Sequence, residues 1–134
     1  MTQKELVTKF YRAFSEHKAQ LFDQVLSETW EDIPLAPDQG PGPEGIKTIL
    51  KGLLKALPDL RMEVQELIIV PGKAATRVSL TGTHQGALLG IPASGKSVEI
   101  RFHEFHELEG DRIVRTWHVE DWLGFLVQVG AWPR

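Results

Sequence analysis

Residues 97–121 read S-V-E-I-R-F-H-E-F-H-E-L-E-G-D-R-I-V-R-T-W-H-V-E-D, and their period decides the fold. Side chains alternate faces along a strand, so residues 97–108 split into two stripes. Val98, Ile100, Phe102, Glu104, His106 and Leu108 form the apolar one, predicted to face the core. Glu99, Arg101, His103, Phe105 and Glu107 form the other. Glu109-Gly110-Asp111 is a hairpin turn that returns the chain as a second strand over 112–121. The Trp117–Val119 spacing predicts that Ile113, Arg115, Trp117, Val119 and Asp121 point inward there. A register symmetric about Gly110 brings Glu104 near Thr116 or Trp117, and His106 near Val114.

Upstream of this hairpin the period is again two. Residues 60–70 alternate through Leu60, Met62 and Val64, Pro71-Gly72 turns, and 74–84 carry Ala74, Thr76, Val78 and Leu80 on one face. Residues 85–96 are an excursion marked by Gly86, Gly90, Pro92 and Gly95. The first part of the chain follows a helical period instead. Leu6, Val7, Phe10, Tyr11 and Phe14 share one helix face, opened by a Thr2–Glu5 capping box. A second helix is predicted around Leu21, Phe22, Val25 and Leu26, then a short extended piece through Trp30, Ile33 and Leu35. Residues 34–45, with four prolines and three glycines, form a loop. Gly45–Leu57 is a third helix, with Ile46, Ile49, Leu50, Leu53 and Leu54 on its apolar face, and Pro58 ends it. A short helix over 123–129 closes the chain. Helices first and consecutive strands after give an α+β fold: a curved antiparallel sheet whose concave face is wrapped by the N-terminal helices into a cone.

Composition narrows the chemistry. A chain of 134 residues fits one domain, 1–134. The net charge of −3 argues against nucleic acid as a partner. Cysteine is absent, which excludes disulfides, thiolate nucleophiles and Cys-based metal sites. The charged N-terminus lacks a signal-peptide core, and no apolar run spans a membrane, so a cytoplasmic protein without membrane contact is expected. The site must come from His, carboxylates, Arg, Lys, Tyr or Trp.

Glu104 and His106 stand on an otherwise apolar stripe, and buried polar groups cost free energy unless paired. A carboxylate in an apolar pocket has its pKa raised, which suits proton transfer at carbon α to a carbonyl. His106 is either an oxyanion partner or a satisfied core histidine, and Glu104 either an acid/base group or half of a Glu104–Arg115 ion pair. Asp121 is a base, the N-cap of the last helix, or both at once. His103 and His106 are three apart and face opposite sides, so no metal site is predicted. His118 and His17 read as surface residues, and His84 as a turn or pocket-rim residue. Gly90–Lys96 has phosphate-loop spacing but precedes a strand rather than a helix, which removes the mechanism of that motif.

Three segments resemble the SnoaL-like polyketide cyclase (ester cyclase) family, whose fold is similar to nuclear transport factor 2. They are A-L-P-D-L-R at 56–61, T-G-T-H-Q-G-A-L-L-G-I-P-A-S-G at 81–95, and G-D-R-I-V-R-T-W-H-V-E-D-W-L-G-F-L-V-Q-V-G at 110–130. The resemblance implies an aldol-type cyclase that needs no metal or cofactor. It puts the family's acid/base Asp on Asp121 and its cavity His on His106. Glu104 falls where those cyclases carry an amide. The expected pocket is made of Trp117, Phe102, Ile100, Phe10, Phe14 and Trp30, with His84 at its rim, and its ligand is a small, apolar or aromatic molecule. A homodimer through the outer sheet face, near Phe105 and Val114, is expected. Two further readings are an epoxide hydrolase built on Asp121, Glu104 and Arg115, and a non-catalytic binding or dimerisation module with a vestigial cavity.

Overall fold

The structure is a computed structural model that describes residues 1–133. Helix α1 (Gln3–Ser15) starts where predicted, with Thr2 Oγ1 accepting the Glu5 amide at 3.1 Å. It buries the predicted stripe of Leu6, Val7, Phe10, Tyr11 and Phe14. Phe10 meets Phe14 and Phe22 edge to face at centroid distances of 5.7 and 5.5 Å. Such pairs add about 0.5–1.5 kcal/mol each beyond the area they bury.

The second predicted helix is only a 3-10 turn, Ala19–Gln24, which buries Leu21 and Phe22. Val25 and Leu26 already belong to the sheet: the Val25 carbonyl accepts the Ile113 amide, and Leu26 opens β1 (Leu26–Ile33). Helix α2 (Gly42–Ala56) begins three residues earlier than predicted, with Pro43 in its first turn, where a missing N–H costs nothing. Strands β2 (Arg61–Val70), β3 (Lys73–Thr83), β4 (Ser97–Glu109) and β5 (Arg112–Glu120) follow, and α3 (Trp122–Gln128) closes the fold.

The sheet is curved and unclosed, in the order β1-β5-β4-β3-β2. Three pairings are antiparallel, as expected, but β1 runs parallel to β5. The sheet is therefore mixed. A parallel neighbour leaves no local signal, because most of the chain separates the two strands. Helix α1 packs on β2 and β5, α2 on β1, and α3 on β4, so the helices cover the sheet face that carries the buried stripe of β4.

The β4–β5 hairpin departs from prediction at one residue. Glu107 pairs with Arg115, but Leu108 pairs with Ile113, so Val114 is an extra residue on β5. A bulge of this kind reverses the parity of the strand beyond it. Ile113 is buried, yet beyond the bulge the inward residues are Thr116, His118 and Glu120. Trp117 and Val119 point outward, with Val119 73% exposed, which corrects the inward placement of both. Trp117 pairs with Phe105 across the hairpin, on the outer face.

Candidate active site

Three neighbouring strands turn polar side chains toward the covered face. Glu104 of β4 stands directly opposite His118 of β5, and Phe102 opposite Glu120. Asp32 of β1 pairs in register with Thr116 of β5. These residues border a cavity of about 600 Å³. Phe10 and Phe14 of α1, Ile46, Ile49 and Leu53 of α2, Phe102 and Trp122 supply its apolar walls. The loop Pro34–Gln39 and the segment Ala87–Leu89 border it as well. Residues 34–39 are tied down rather than loose. Gln39 receives the Ala36 amide on its side-chain oxygen at 2.9 Å and donates to Asp32 Oδ2 at 2.8 Å.

Glu104 is 6% exposed. Burial pushes its pKa up to about 7, against the opposing pull of the Tyr11 hydrogen bond and the His118 charge. Its Oε1 accepts the Tyr11 hydroxyl at 2.6 Å. Its Oε2 takes no hydrogen bond among the described residues, although Glu104 belongs to the cavity wall.

A buried hydrogen-bond chain stands behind Tyr11. The hydroxyl also lies 2.6 Å from Thr76 Oγ1 and 2.7 Å from His106 Nε2. His106 Nδ1 lies 2.8 Å from Thr116 Oγ1, which accepts the Trp30 indole N–H at 3.0 Å. Burial lowers the His106 pKa to about 3, so the ring is neutral and carries one proton. Burial and the adjacent Glu104 raise the Tyr11 pKa well above its ordinary value, so the phenol keeps its proton. An indole N–H can only donate. With Glu104 ionised, one arrangement then uses every proton: Trp30 donates to Thr116, Thr116 to His106 Nδ1, His106 Nε2 to Tyr11, and Tyr11 to Glu104. His106 is thus a satisfied core histidine outside the cavity wall.

His118, predicted at the surface, has only 14% of its side chain exposed. Its Nδ1 meets Glu120 Oε1 in a very short contact, and its Nε2 lies 2.7 Å from the Pro34 carbonyl and 3.3 Å from Asp32 Oδ1. Burial works against its charge, but Glu120, Asp32 and the Pro34 carbonyl outweigh it and lift the pKa to about 9. His118 is an imidazolium at neutral pH with both N–H groups engaged. Burial raises the Asp32 pKa, countered by Gln39 and His118.

Of the predicted pocket residues, Phe10, Phe14, Phe102 and Glu104 border the cavity. Ile100 and Trp30 are core residues behind it. Trp117 lies on the outer face. His84 is fully buried under the 84–96 excursion, with Nδ1 2.9 Å from Ser94 Oγ, and serves to fold that segment. Arg115 binds Glu107 at 2.7 Å and Glu31 at 3.6 Å on the outer side, not Glu104, so the epoxide-hydrolase arrangement lacks its arginine.

Asp121 is seated as the N-cap of α3, the second of its two sequence readings. Its Oδ1 accepts the Gly124 amide at 2.9 Å, and Oδ2 lies 3.4 Å from Arg101. Its side chain is 39% exposed and is not part of the cavity wall. A Cβ at Gly124 would press on the Asp121 carboxylate, so a larger residue there would push the capping side chain aside.

Sequence reasoning missed Asp32, His118, Glu120 and the role of Tyr11. Asp32 was within reach, since it stands two residues from Trp30 on an extended piece and so shares its face. Tyr11 was on the buried helix stripe. His118 and Glu120 were hidden by the bulge.

Comparison with known proteins adds a family. The model of the SnoaL-like polyketide cyclases matches residues 5–129. No curated protein matches the sequence. Among solved structures, TsrD from Streptomyces laurentii is 25% identical, with a TM-score of 0.89 over 98% of each chain. AclR from Streptomyces galilaeus, provisionally named a hydroxylase, is 24% identical with a TM-score of 0.84, over 98% of this chain and 86% of that one. A SnoaL-like polyketide cyclase from Agrobacterium tumefaciens is 21% identical with a TM-score of 0.80, over 97% and 99%. Among the described residues no helix is long and apolar enough to cross a membrane.

Proposed function

Given that the chain belongs to the SnoaL-like polyketide cyclase family, we propose that it is an acid–base enzyme whose base is Glu104, acting at carbon α to a carbonyl of a small, largely apolar substrate. The observation that carries this reading is a carboxylate oxygen, Glu104 Oε2, that takes no hydrogen bond among the described residues, on a side chain buried at the wall of an apolar cavity. A general base works best with a pKa near the operating pH, and Glu104 at about 7 meets that condition. Tyr11 holds Oε1 and aims Oε2. Oε2 removes the α-proton, leaving an enolate beside a Glu104 that is now neutral, with the charge of His118 across the hairpin as the nearest positive one. In a ring closure the α-carbon then attacks a second carbonyl of the same molecule. The resulting alkoxide takes the proton back from Glu104, so the carboxylate is regenerated. The apolar walls exclude water, which would otherwise quench the enolate.

The test is α-proton exchange in heavy water, and ring closure, over a panel of aromatic polyketide-like ketones. Glu104→Gln keeps an acceptor for Tyr11 and should lower kcat/KM by about 10²–10⁴. Asp121→Asn should stay within a few-fold of wild type. Exchange that survives Glu104→Gln, or that disappears in Asp121→Asn, would sink the assignment. We also propose self-association through the outer face, where Phe105, Trp117 and Val119 are exposed, to be checked by sedimentation.

A further inference from the structure

The charges around the cavity do not balance. Asp32, Glu104 and Glu120 face one imidazolium, His118, and no Lys or Arg borders the cavity among the described residues. Both nitrogens of His118 are committed, one to Glu120 and the other to the Pro34 carbonyl and Asp32. The nearest partner of Glu104 is a neutral phenol. The site thus holds a surplus of one negative charge with Glu104 protonated and two with it ionised. Four aromatic residues, Phe10, Phe14, Phe102 and Trp122, stand around this surplus.

We propose that the substrate of this cavity carries a protonated nitrogen, as an amine on an aromatic or apolar body, and that Glu120, whose Oε2 takes no hydrogen bond among the described residues, receives it beside Glu104. The inference rests on the acid–base reading above only for the statement that this cavity is the substrate site. Aromatic faces attract an ammonium group, and the attraction strengthens where water is excluded. A carboxylate-bearing molecule meets the opposite field. The cation also completes the catalytic logic: placed beside Glu104 it favours the ionised form, so the base is armed when the substrate binds.

A metal ion is the other cation to weigh. Ligand atoms of Glu104, His118 and Glu120 lie within 4.8 Å of one another. A metal there would strip His118 of the proton shared with Glu120, and it would leave the aromatic walls and most of the roughly 600 Å³ without a role. An organic cation uses all of these features at once.

Calorimetric titration with naphthylmethylamine, naphthylmethanol and naphthoate at fixed pH and salt tests the proposal, because the three probes share one ring system and differ in charge. The amine should bind at least about tenfold tighter than the alcohol, about 1.4 kcal/mol, and naphthoate weaker than either. Glu120→Gln should erase the preference for the amine, His118→Gln should increase it, and Glu99→Gln, outside the cavity, should leave it unchanged. Equal binding of alcohol and amine, tighter binding of naphthoate, or no binding of any probe would overturn the proposal. So would zinc or magnesium that binds alone and excludes the amine. Loss of the amine preference with Glu104-dependent proton exchange intact overturns this inference and leaves the acid–base reading standing. An amine preference in a protein without exchange does the reverse.

Discussion

The two faces of the β4–β5 hairpin are built from the same twenty-odd residues and have opposite characters. The face under the helices carries Glu104, His106, Thr116, His118 and Glu120, while the face turned away from them carries Phe105, Trp117 and Val119. Hydrophobicity alone assigns β5 the wrong way round. What sets the faces is the extra residue Val114, which lets Ile113 stay in the core while Thr116, His118 and Glu120 turn toward the cavity. Buried polar groups are tolerated because each is paired: Thr116 with Trp30 and His106, His118 with Glu120, and Glu104 with Tyr11. Among the described residues one oxygen of Glu104 and one of Glu120 take no hydrogen bond, and that is where chemistry is expected.

The strongest way to break this contrast is to delete Val114. A regular ladder would turn Trp117 and Val119 inward and push Thr116, His118 and Glu120 out. The hydrogen-bond chain through His106 would lose its anchor. The loss should exceed about 4 kcal/mol, beyond ordinary point changes, and show as failure to refold or collapse of the thermal transition. A variant that melts like wild type would mean the bulge does not set the faces.

Glu104 allows a sharper, smaller test. In the folded protein it keeps its proton up to about pH 7, whereas its ordinary value is 4.5. Between these values the folded state binds more protons than the unfolded one, so this group's contribution to stability falls as pH rises through that window. The fall amounts to about 3 kcal/mol. His118 acts in a later window: its pKa is raised from 6.5 to about 9, so its contribution is full below 6.5 and lost toward 9. Neutral His106, its pKa lowered from 6.5 to about 3, works the opposite way up to pH 6.5, so denaturant titrations from pH 5 to 7 should give a nearly level profile in wild type and a rising one in Glu104→Gln. Parallel profiles would remove Glu104 as the buried titrating group.

Tyr11→Phe comes next. It takes away the donor to Glu104 Oε1 and leaves His106 Nε2 and Thr76 without their shared partner. The cost should be about 1–3 kcal/mol. A purely structural tyrosine would lower stability and nothing else. A positioning tyrosine also moves the acid limb of the exchange profile to higher pH, because the lost hydrogen bond had favoured the carboxylate.

What was legible beforehand follows from the range of each signal. The α1 stripe, the strands and the inward placement of Glu104 and His106 depend on local period, and they hold. The parallel β1–β5 pairing and the Val114 bulge depend on partners distant in sequence or on a single inserted residue, and neither alters local period. Asp121 shows a third case. Its position before Trp122-Leu123-Gly124 is compatible with a cap and with a base, and the geometry shows the cap. His118 read as a surface residue because its neighbours Trp117 and Val119 are more apolar than Thr116 and Glu120, which is the usual mark of an inward face.

The smallest expected effects belong to the outer face and the cap, and they complete the contrast. Arg115→Ala breaks a partly exposed pair with Glu107 and should leave the melting temperature nearly unchanged. Asp121→Asn keeps a side-chain acceptor for Gly124, and asparagine caps nearly as well as aspartate, so a change of a few tenths of a kcal/mol is expected. Asp121→Ala should cost about 1 kcal/mol, because the amide then has no acceptor. This graded series separates a cap from a base. A cap loses stability in proportion to its acceptor and leaves the exchange rate of the folded enzyme alone. A base loses rate in Asp121→Asn while stability hardly moves. Measuring melting and α-proton exchange on the same two variants decides which of the two sequence readings of Asp121 governs the enzyme.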